Sequence, residues 1–219
     1  MEENEVAQKF GIDLEALRHE QLKIAKNLEI KDIIDFSLAK SFGAIENIII
    51  NNQIISAVIV CDTNFEIIEE QYFLDKLRFP YIFEFRSYRE LPAMLECFNK
   101  LQNKPDLVFI HGAGIMHPRL GLASHFSLST GIPCIGVNDF LFKENTIVKD
   151  DILLGNKKVG RVLKSKEKSN PLYVSVGDRI SSNSAYELAK KMVIVPHKLP
   201  EPMHFAHKYA RNVRKELKI

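Results

Sequence analysis

The pattern of this chain changes near residue 77, and that change limits what it can fold into. Before it lie three extended, β-rich stretches: Phe42 to Ile50, Ile54 to Asp62, and Glu66 to Leu77. The breaks between them, Asn51-Asn52-Gln53 and Asp62-Thr63-Asn64, are turn-forming and too short for a crossover helix, so the three pair antiparallel. After it, residues 87–102 read as a helix, Asp106 to Gly112 (DLVFIHG) as a continuous apolar strand, 119–130 as a helix, and Pro133 to Val137 as a second buried strand. Continuous apolar strands are covered on both faces, and strand–helix–strand alternation with short links implies parallel strands with right-handed crossovers. Upstream, 13–28 forms an amphipathic helix on Leu14, Leu17, Leu22, Ile24 and Leu28. Downstream come a hairpin over Ile152 to Lys164 turning at Gly155-Asn156, a strand from Leu172 to Val176, and helices over 183–193 and 201–217.

The fold class is therefore α/β, with a mixed central sheet of three antiparallel strands and then parallel ones, flanked by helices. An antiparallel meander followed by β-α-β-α units is the strand order of the ribonuclease H-like fold. No repeat, low-complexity segment or linker interrupts the 219 residues, which predicts a single domain over 1–219. A formal net charge of +2 gives no global attraction to polyanions, so any contact with nucleic acid must come from local patches. Cys61, Cys97 and Cys134 are odd in number and sit inside apolar runs, which reads as buried thiols in a reducing compartment. The acidic start Met1-Glu2-Glu3-Asn4-Glu5 does not read as a signal peptide, and no apolar run reaches membrane-spanning length. A cytoplasmic location without membrane association is expected.

Polar groups interrupt or end apolar runs at several places. Glu46 lies inside GAIENIII, His111 ends DLVFIHG, Asp139 follows PCIGVN, Asp178 ends LYVSVGD, and Glu90 opens the helix in FRSYRELP. In an open sheet with crossovers, adjacent strand ends meet at one edge, where separated carboxylates can share divalent ions. Each residue also fits a plain structural role. Glu46 fits an edge-strand residue facing solvent, and Glu90 stands at capping-box spacing from Ser87, although Pro92 argues against that box. His111 fits a hydrogen-bonded structural histidine, and Asp139 and Asp178 fit caps or turns. Spacing alone does not choose.

The segment His111-Gly112-Ala113-Gly114-Ile115-Met116-His117-Pro118-Arg119-Leu120-Gly121 is more specific. A glycine-rich turn running into a helix start exposes backbone N–H groups and admits close approach of a base or phosphate. Here the sequence resembles the endonuclease V family, whose members nick DNA near deoxyinosine. The likeness includes Phe79-Pro80-Tyr81-Ile82, Ser87-Tyr88-Arg89-Glu90, Lys104 to Phe109, Ile132 to Val137, Gly177 to Ser181 and Leu199 to Pro202, in consistent order over about residues 40–205.

The resemblance implies a ribonuclease H-like fold, Mg²⁺ or Mn²⁺, an inosine pocket and cleavage at the second phosphodiester on its 3′ side. It places the metal ligands at Glu46, Glu90 and His111, with His117 orienting water or phosphate. Asp139 stands where the family has a lysine, and Asp178 where it has a late histidine. It implies a strand-separating wedge at Pro80, Tyr81 and Ile82, and base or phosphate contacts from Gly112, Ala113, Gly114, Arg119, Leu120 and Gly121. The expected partner is DNA, with RNA as an alternative, carrying inosine or a structural distortion and bound by a monomer.

Glu90 and His117 match the family; other positions depart. Glu46 is one methylene longer than the usual aspartate, a displacement that costs about 10²-fold in rate if uncompensated. His111 replaces a carboxylate with imidazole, which suits Mn²⁺ or Zn²⁺ better than Mg²⁺. Asp139 inverts a charge. Two readings follow: a remodelled metal-dependent endonuclease in which Asp139 or Asp178 supplies the missing carboxylate, or a non-cleaving protein that binds inosine-containing or branched nucleic acid. The 157–168 stretch (KKVGRVLKSKEK) suits phosphate contact or, equally, a solvated hairpin.

Overall fold

A computed structural model describes residues 3–219. The chain opens with two helices, α1 (Glu3–Lys9) and α2 (Leu14–Ala25), the second capped by Asp13, whose carboxylate accepts the Ala16 N–H at 3.0 Å. The meander follows as β1 (Ser41–Ile50), β2 (Gln53–Asp62) and β3 (Ile67–Lys76). Both junctions are antiparallel, as the short turns require. A 3-10 turn at Phe83–Phe85 leads into α3 (Arg86–Asn99), then come β4 (Leu107–His111), α4 (Leu122–Thr130) and β5 (Cys134–Asn138). The rest is β6 (Asn145–Val148), β7 (Asp151–Leu154), β8 (Lys157–Leu163), β9 (Leu172–Asp178), α5 (Ser182–Lys191) and α6 (Glu201–Glu216).

The nine strands form one sheet in the order β3-β2-β1-β4-β5-β9-β8-β7-β6. Among the described residues, parallel pairing is confined to β1-β4 and β4-β5; β9 returns antiparallel to β5, and the remaining strands stay antiparallel. Side chains alternate between faces along each strand, which splits the core in two. Phe42, Ala44, Ile59, Leu107 and Phe109 face one side, under α5 and α6. Ile45, Val58, Val60, Val108 and Ile110 face the other, under α3 and α4. Burying each large apolar side chain fully stabilises the fold by roughly 1.5–3 kcal/mol. Cys61, Cys97 and Cys134 are free and buried, and burial pushes the Cys61 and Cys97 thiols up to about 12.

Local details differ from expectation around α3. The helix begins at Arg86 through the preceding 3-10 turn, its cap residue Phe85 making no side-chain bond, so Ser87 and Glu90 do not form a capping box. Pro92 is tolerated inside α3 because it lies on the exposed face, where water can satisfy the carbonyl that loses its N–H. β6 and α1, both short, carry no strong periodicity in the sequence.

Candidate active site

The parallel strands β1, β4 and β5 set the geometry. Ile45 pairs with Ile110, so the next residues, Glu46 and His111, lie side by side and point to the same face. Their side chains approach to 3.7 Å, from Glu46 Oε2 to His111 Nδ1. Helix α6 crosses that face and brings His207, whose Nδ1 stands 3.3 Å from Glu46 Oε1. One largely buried carboxylate is thus held between two half-exposed imidazoles. Burial pushes the Glu46 carboxyl up, but the two imidazoles outweigh it and hold it below the ordinary glutamate range. The same contact raises His111 against the opposing effect of burial. Asp139, exposed just beyond β5, lines the same open cleft of about 450 Å³, together with Lys166, His197 and His204.

Glu90 is on the other face. Residue 47 of β1 points away from residue 46, and Asn47 donates from Nδ2 to Glu90 Oε2 at 2.9 Å. Arg86, one helical turn before Glu90, donates from Nε to Oε1 at 2.7 Å and from Nη2 to Oε2 at 3.0 Å. Glu90 is therefore paired with Arg86 and Asn47 and makes no direct contact with the side chains of Glu46 and His111. Among the described residues, no group of three or more His, Cys, Asp or Glu forms a metal-ligand set as it stands. The donor chemistry fits an ion on one side only. Glu46 with two neighbouring imidazoles offers an oxygen and two nitrogens, a set suited to Mn²⁺ or Zn²⁺, whereas both oxygens of Glu90 already accept from Arg86, and Oε2 also from Asn47.

Asp178 stands at the opposite end of the sheet. Because β9 runs antiparallel to β5, its last residue pairs with Cys134, the first residue of β5, far from His111. There it is buried and accepts the Glu29 N–H at 2.6 Å, with Arg179 Nε 3.4 Å from its other oxygen. It cannot replace the carboxylate missing at His111.

The glycine turn is used differently from the sequence expectation. The Gly112 N–H goes to the Val137 carbonyl, Gly114 N–H to Ser175 Oγ at 2.9 Å, and Ile115 N–H to the Val176 carbonyl at 2.7 Å. These donors are spent on neighbouring strands rather than offered to a ligand. The glycines serve close packing: a Cβ on Gly114 would stand 1.8 Å from the Val176 oxygen, and one on Gly121 2.1 Å from the Ala113 oxygen. Ala113 and Leu120 are buried.

His117 and Arg119 are likewise held inside. The Arg119 N–H donates to His117 Nδ1 at 3.0 Å, so Nε2 carries the proton and donates to the Glu84 carbonyl at 3.1 Å. Burial, then the Arg119 charge, lower His117 to about 4, so it is neutral and has no free nitrogen for water or phosphate. Arg119 reaches Gln21 Oε1 at 2.7 Å and Glu84 Oε2 at 2.6 Å, with its guanidinium over the Phe85 ring. Beside them Phe83, Phe140 and Phe142 close around a space of about 20 Å³, room for roughly one water. A base enters there only if the rings part. Of the wedge residues, Tyr81 is exposed, Pro80 is half-buried, and Ile82 is buried with Leu14 and Phe85.

Comparison with known proteins bears directly on this arrangement. The family model for endonuclease V matches residues 23–208. The chain belongs to the endonuclease V family. An endonuclease V from Thermosipho melanesiensis is 31% identical over 217 residues, 94% of this chain and 91% of its own. One from Dictyoglomus thermophilum is 32% identical over 88% of this chain and 89% of its own. Among solved structures, the catalytic domain of human endonuclease V superposes with a TM-score of 0.85 at 24% identity, over 94% of this chain and 99% of that one. An endonuclease V from Ciona intestinalis, solved with a 23mer DNA containing an inosine followed by a ribo-adenosine, gives 0.84 at 20% identity, covering 94% and 100%. These likenesses establish the shared fold.

Two residues to which the sequence alone does not point stand in this candidate site of an endonuclease V family member. Arg86 is legible in principle, because it lies four residues before Glu90 on one helix, the spacing of a facing ion pair. His207 gives no local signal; it lies on α6 among the basic residues Lys208, Arg211, Arg214 and Lys215, and only the fold brings it to Glu46.

Proposed function

We propose that the chain is a divalent-metal-dependent endonuclease of the endonuclease V type, acting on DNA that contains inosine or a structural distortion. The observation that carries this reading is the meeting of Glu46, His111 and His207 at the mouth of the 450 Å³ cleft. Those three residues would hold the ion, with Mn²⁺ favoured over Mg²⁺ by the two imidazoles. When bound, the ion polarises a phosphate oxygen and makes a coordinated water a stronger nucleophile. The protein's own groups prepare the rest. The imidazoles keep Glu46 ionised inside its largely buried position. Lys166, on the basic stretch, lines the cleft where a phosphate would lie, and Asp139 offers a carboxylate to accept a proton. Tyr81 presents an exposed ring on which a base can stack.

Incubating the purified protein with inosine-containing DNA and RNA in Mn²⁺, Mg²⁺ or Zn²⁺ tests this. A Mn²⁺-dependent nick on the 3′ side of inosine, lost in Glu46→Gln and in His207→Ala, is expected. Absence of product with every ion, or product that survives Glu46→Gln, rejects the reading.

A second reading, binding without cleavage, is favoured by one observation: both oxygens of Glu90 are already paired with Arg86, and one of them also with Asn47. It is distinguished by salt-sensitive retention of inosine-containing DNA in the same assay without any nicked product.

A further inference from the structure

The contacts of Glu90 describe a second cation that the protein supplies itself. The guanidinium of Arg86 meets the carboxylate edge to edge, at 2.7 and 3.0 Å, and its Nη2 continues to the His111 carbonyl at 3.3 Å. Asn47 adds a further donor at 2.9 Å. The Glu90 side chain is 5% exposed and that of Arg86 25%. Fork-to-carboxylate pairing is the strongest form of charge-assisted hydrogen bond, and the guanidinium is permanently charged and weakly hydrated. A divalent ion using Glu90 as a ligand would have to displace both donors and leave a largely buried guanidinium without a partner, which is strongly unfavourable. Arg86 thus sits between Glu90 and the strand end that carries His111, the place a second ion would have to take.

We propose that Arg86 is a tethered cation occupying the Glu90 half of the site, so that this protein binds a single divalent ion, on the Glu46 side. Arg86 is a positioning residue here, acting through Glu90 and the His111 carbonyl. The proposal refines the metal-dependent reading above, and it fails separately from it. Its consequence is chemical: the Glu90 carboxylate is neutralised from within, and removing the guanidinium leaves an anion that recruits an external cation.

The test is Mn²⁺ titration of the full chain, with free Mn²⁺ read by electron paramagnetic resonance. The wild type is expected to bind one ion, with an affinity that Glu90→Gln leaves within about twofold, whereas removing a true ligand costs about tenfold or more. Arg86→Met is expected to gain an ion, and the double variant Arg86→Met/Glu90→Gln to lose that gain. A merely structural arginine would not change the number of ions bound. The proposal is overturned if Glu90→Gln weakens wild-type Mn²⁺ binding about tenfold, or if folded Arg86→Met gains nothing. Should Arg86→Met fail to fold, Glu90→Gln decides alone, because its amide retains a hydrogen-bonding oxygen for Arg86 and Asn47. A wild type that binds no Mn²⁺ sinks the metal-dependent reading, while an ion gained by Arg86→Met still supports the assignment of Arg86.

Discussion

Nδ1 of His207 lies 3.3 Å from Oε1 of Glu46, although 161 residues separate them along the chain. Only the packing of α6 across β1 makes this contact, so the site exists in the fold and not in any local segment. His207→Ala removes one of the two imidazoles beside Glu46 without touching the sheet, since the residue is exposed. Mn²⁺ affinity is expected to fall about ten- to hundredfold, measured by the same paramagnetic titration. An unchanged affinity would place the ion elsewhere.

The wedge tripeptide divides into a binding residue and a structural one. Tyr81 is 59% exposed, whereas Ile82 is 1% exposed and packs against Leu14 and Phe85. Tyr81→Ala is expected to weaken binding of inosine-containing DNA by about 1–3 kcal/mol, the worth of one stacked base, with an unchanged urea midpoint. Ile82→Ala should instead lower stability by about 2–5 kcal/mol. Denaturation and filter-binding measurements on both variants separate the roles; a Tyr81→Ala protein that binds normally but unfolds early contradicts the division.

How much of this is legible in the residues depends on the range of the interaction. Strands β1 to β5 can be read from Phe42 onward because tight turns force antiparallel pairing, and continuous apolar runs mark strands covered on both faces. The adjacency of Glu46 and His111 follows from parallel pairing of β1 and β4. Asp178 cannot be placed from its own segment, because nothing local records that β9 runs against β5, and direction decides which edge a strand's last residue reaches. Resemblance alone makes Glu90 a ligand, while its partner Arg86 lies four residues away in plain view. The glycine turn reads correctly as a place of close approach, but the approaching group is the backbone of β9, at Val176, and not a ligand.

That close approach can be tested at two glycines with opposite surroundings. A Cβ on Gly114 would meet the Val176 oxygen at 1.8 Å, so β9 or the turn must move. Gly131 has open space around it but a φ of +75°, where a side chain costs roughly 1–2 kcal/mol. Gly114→Ala is therefore expected to lose about 3 kcal/mol or more, against about 1 kcal/mol for Gly131→Ala, in urea unfolding. Equal losses would mean that backbone crowding at Gly114 is not what holds the turn against β9.

His117 gives an acid-dependent stability whose sign is fixed by its hydrogen bonds. Nδ1 accepts the Arg119 N–H, so a proton placed there would face a donor, and burial adds to the penalty. The folded chain therefore resists protonation until about pH 4, while the unfolded chain takes the proton near 6.5. Between those values the unfolded state binds more protons, so stability is full above pH 6.5 and declines as the pH falls toward 4. The loss from this residue amounts to at most about 3.5 kcal/mol, from roughly 1.4 kcal/mol for each tenfold difference in proton affinity between the two states. His117→Asn, which does not titrate, should flatten the pH dependence of the urea midpoint over that window. Imidazole resonances of His117 should stay neutral above pH 5 in the folded protein. Titration near 6.5 would show that the ring reaches solvent, and would return His117 to the residues able to handle a proton at the phosphate.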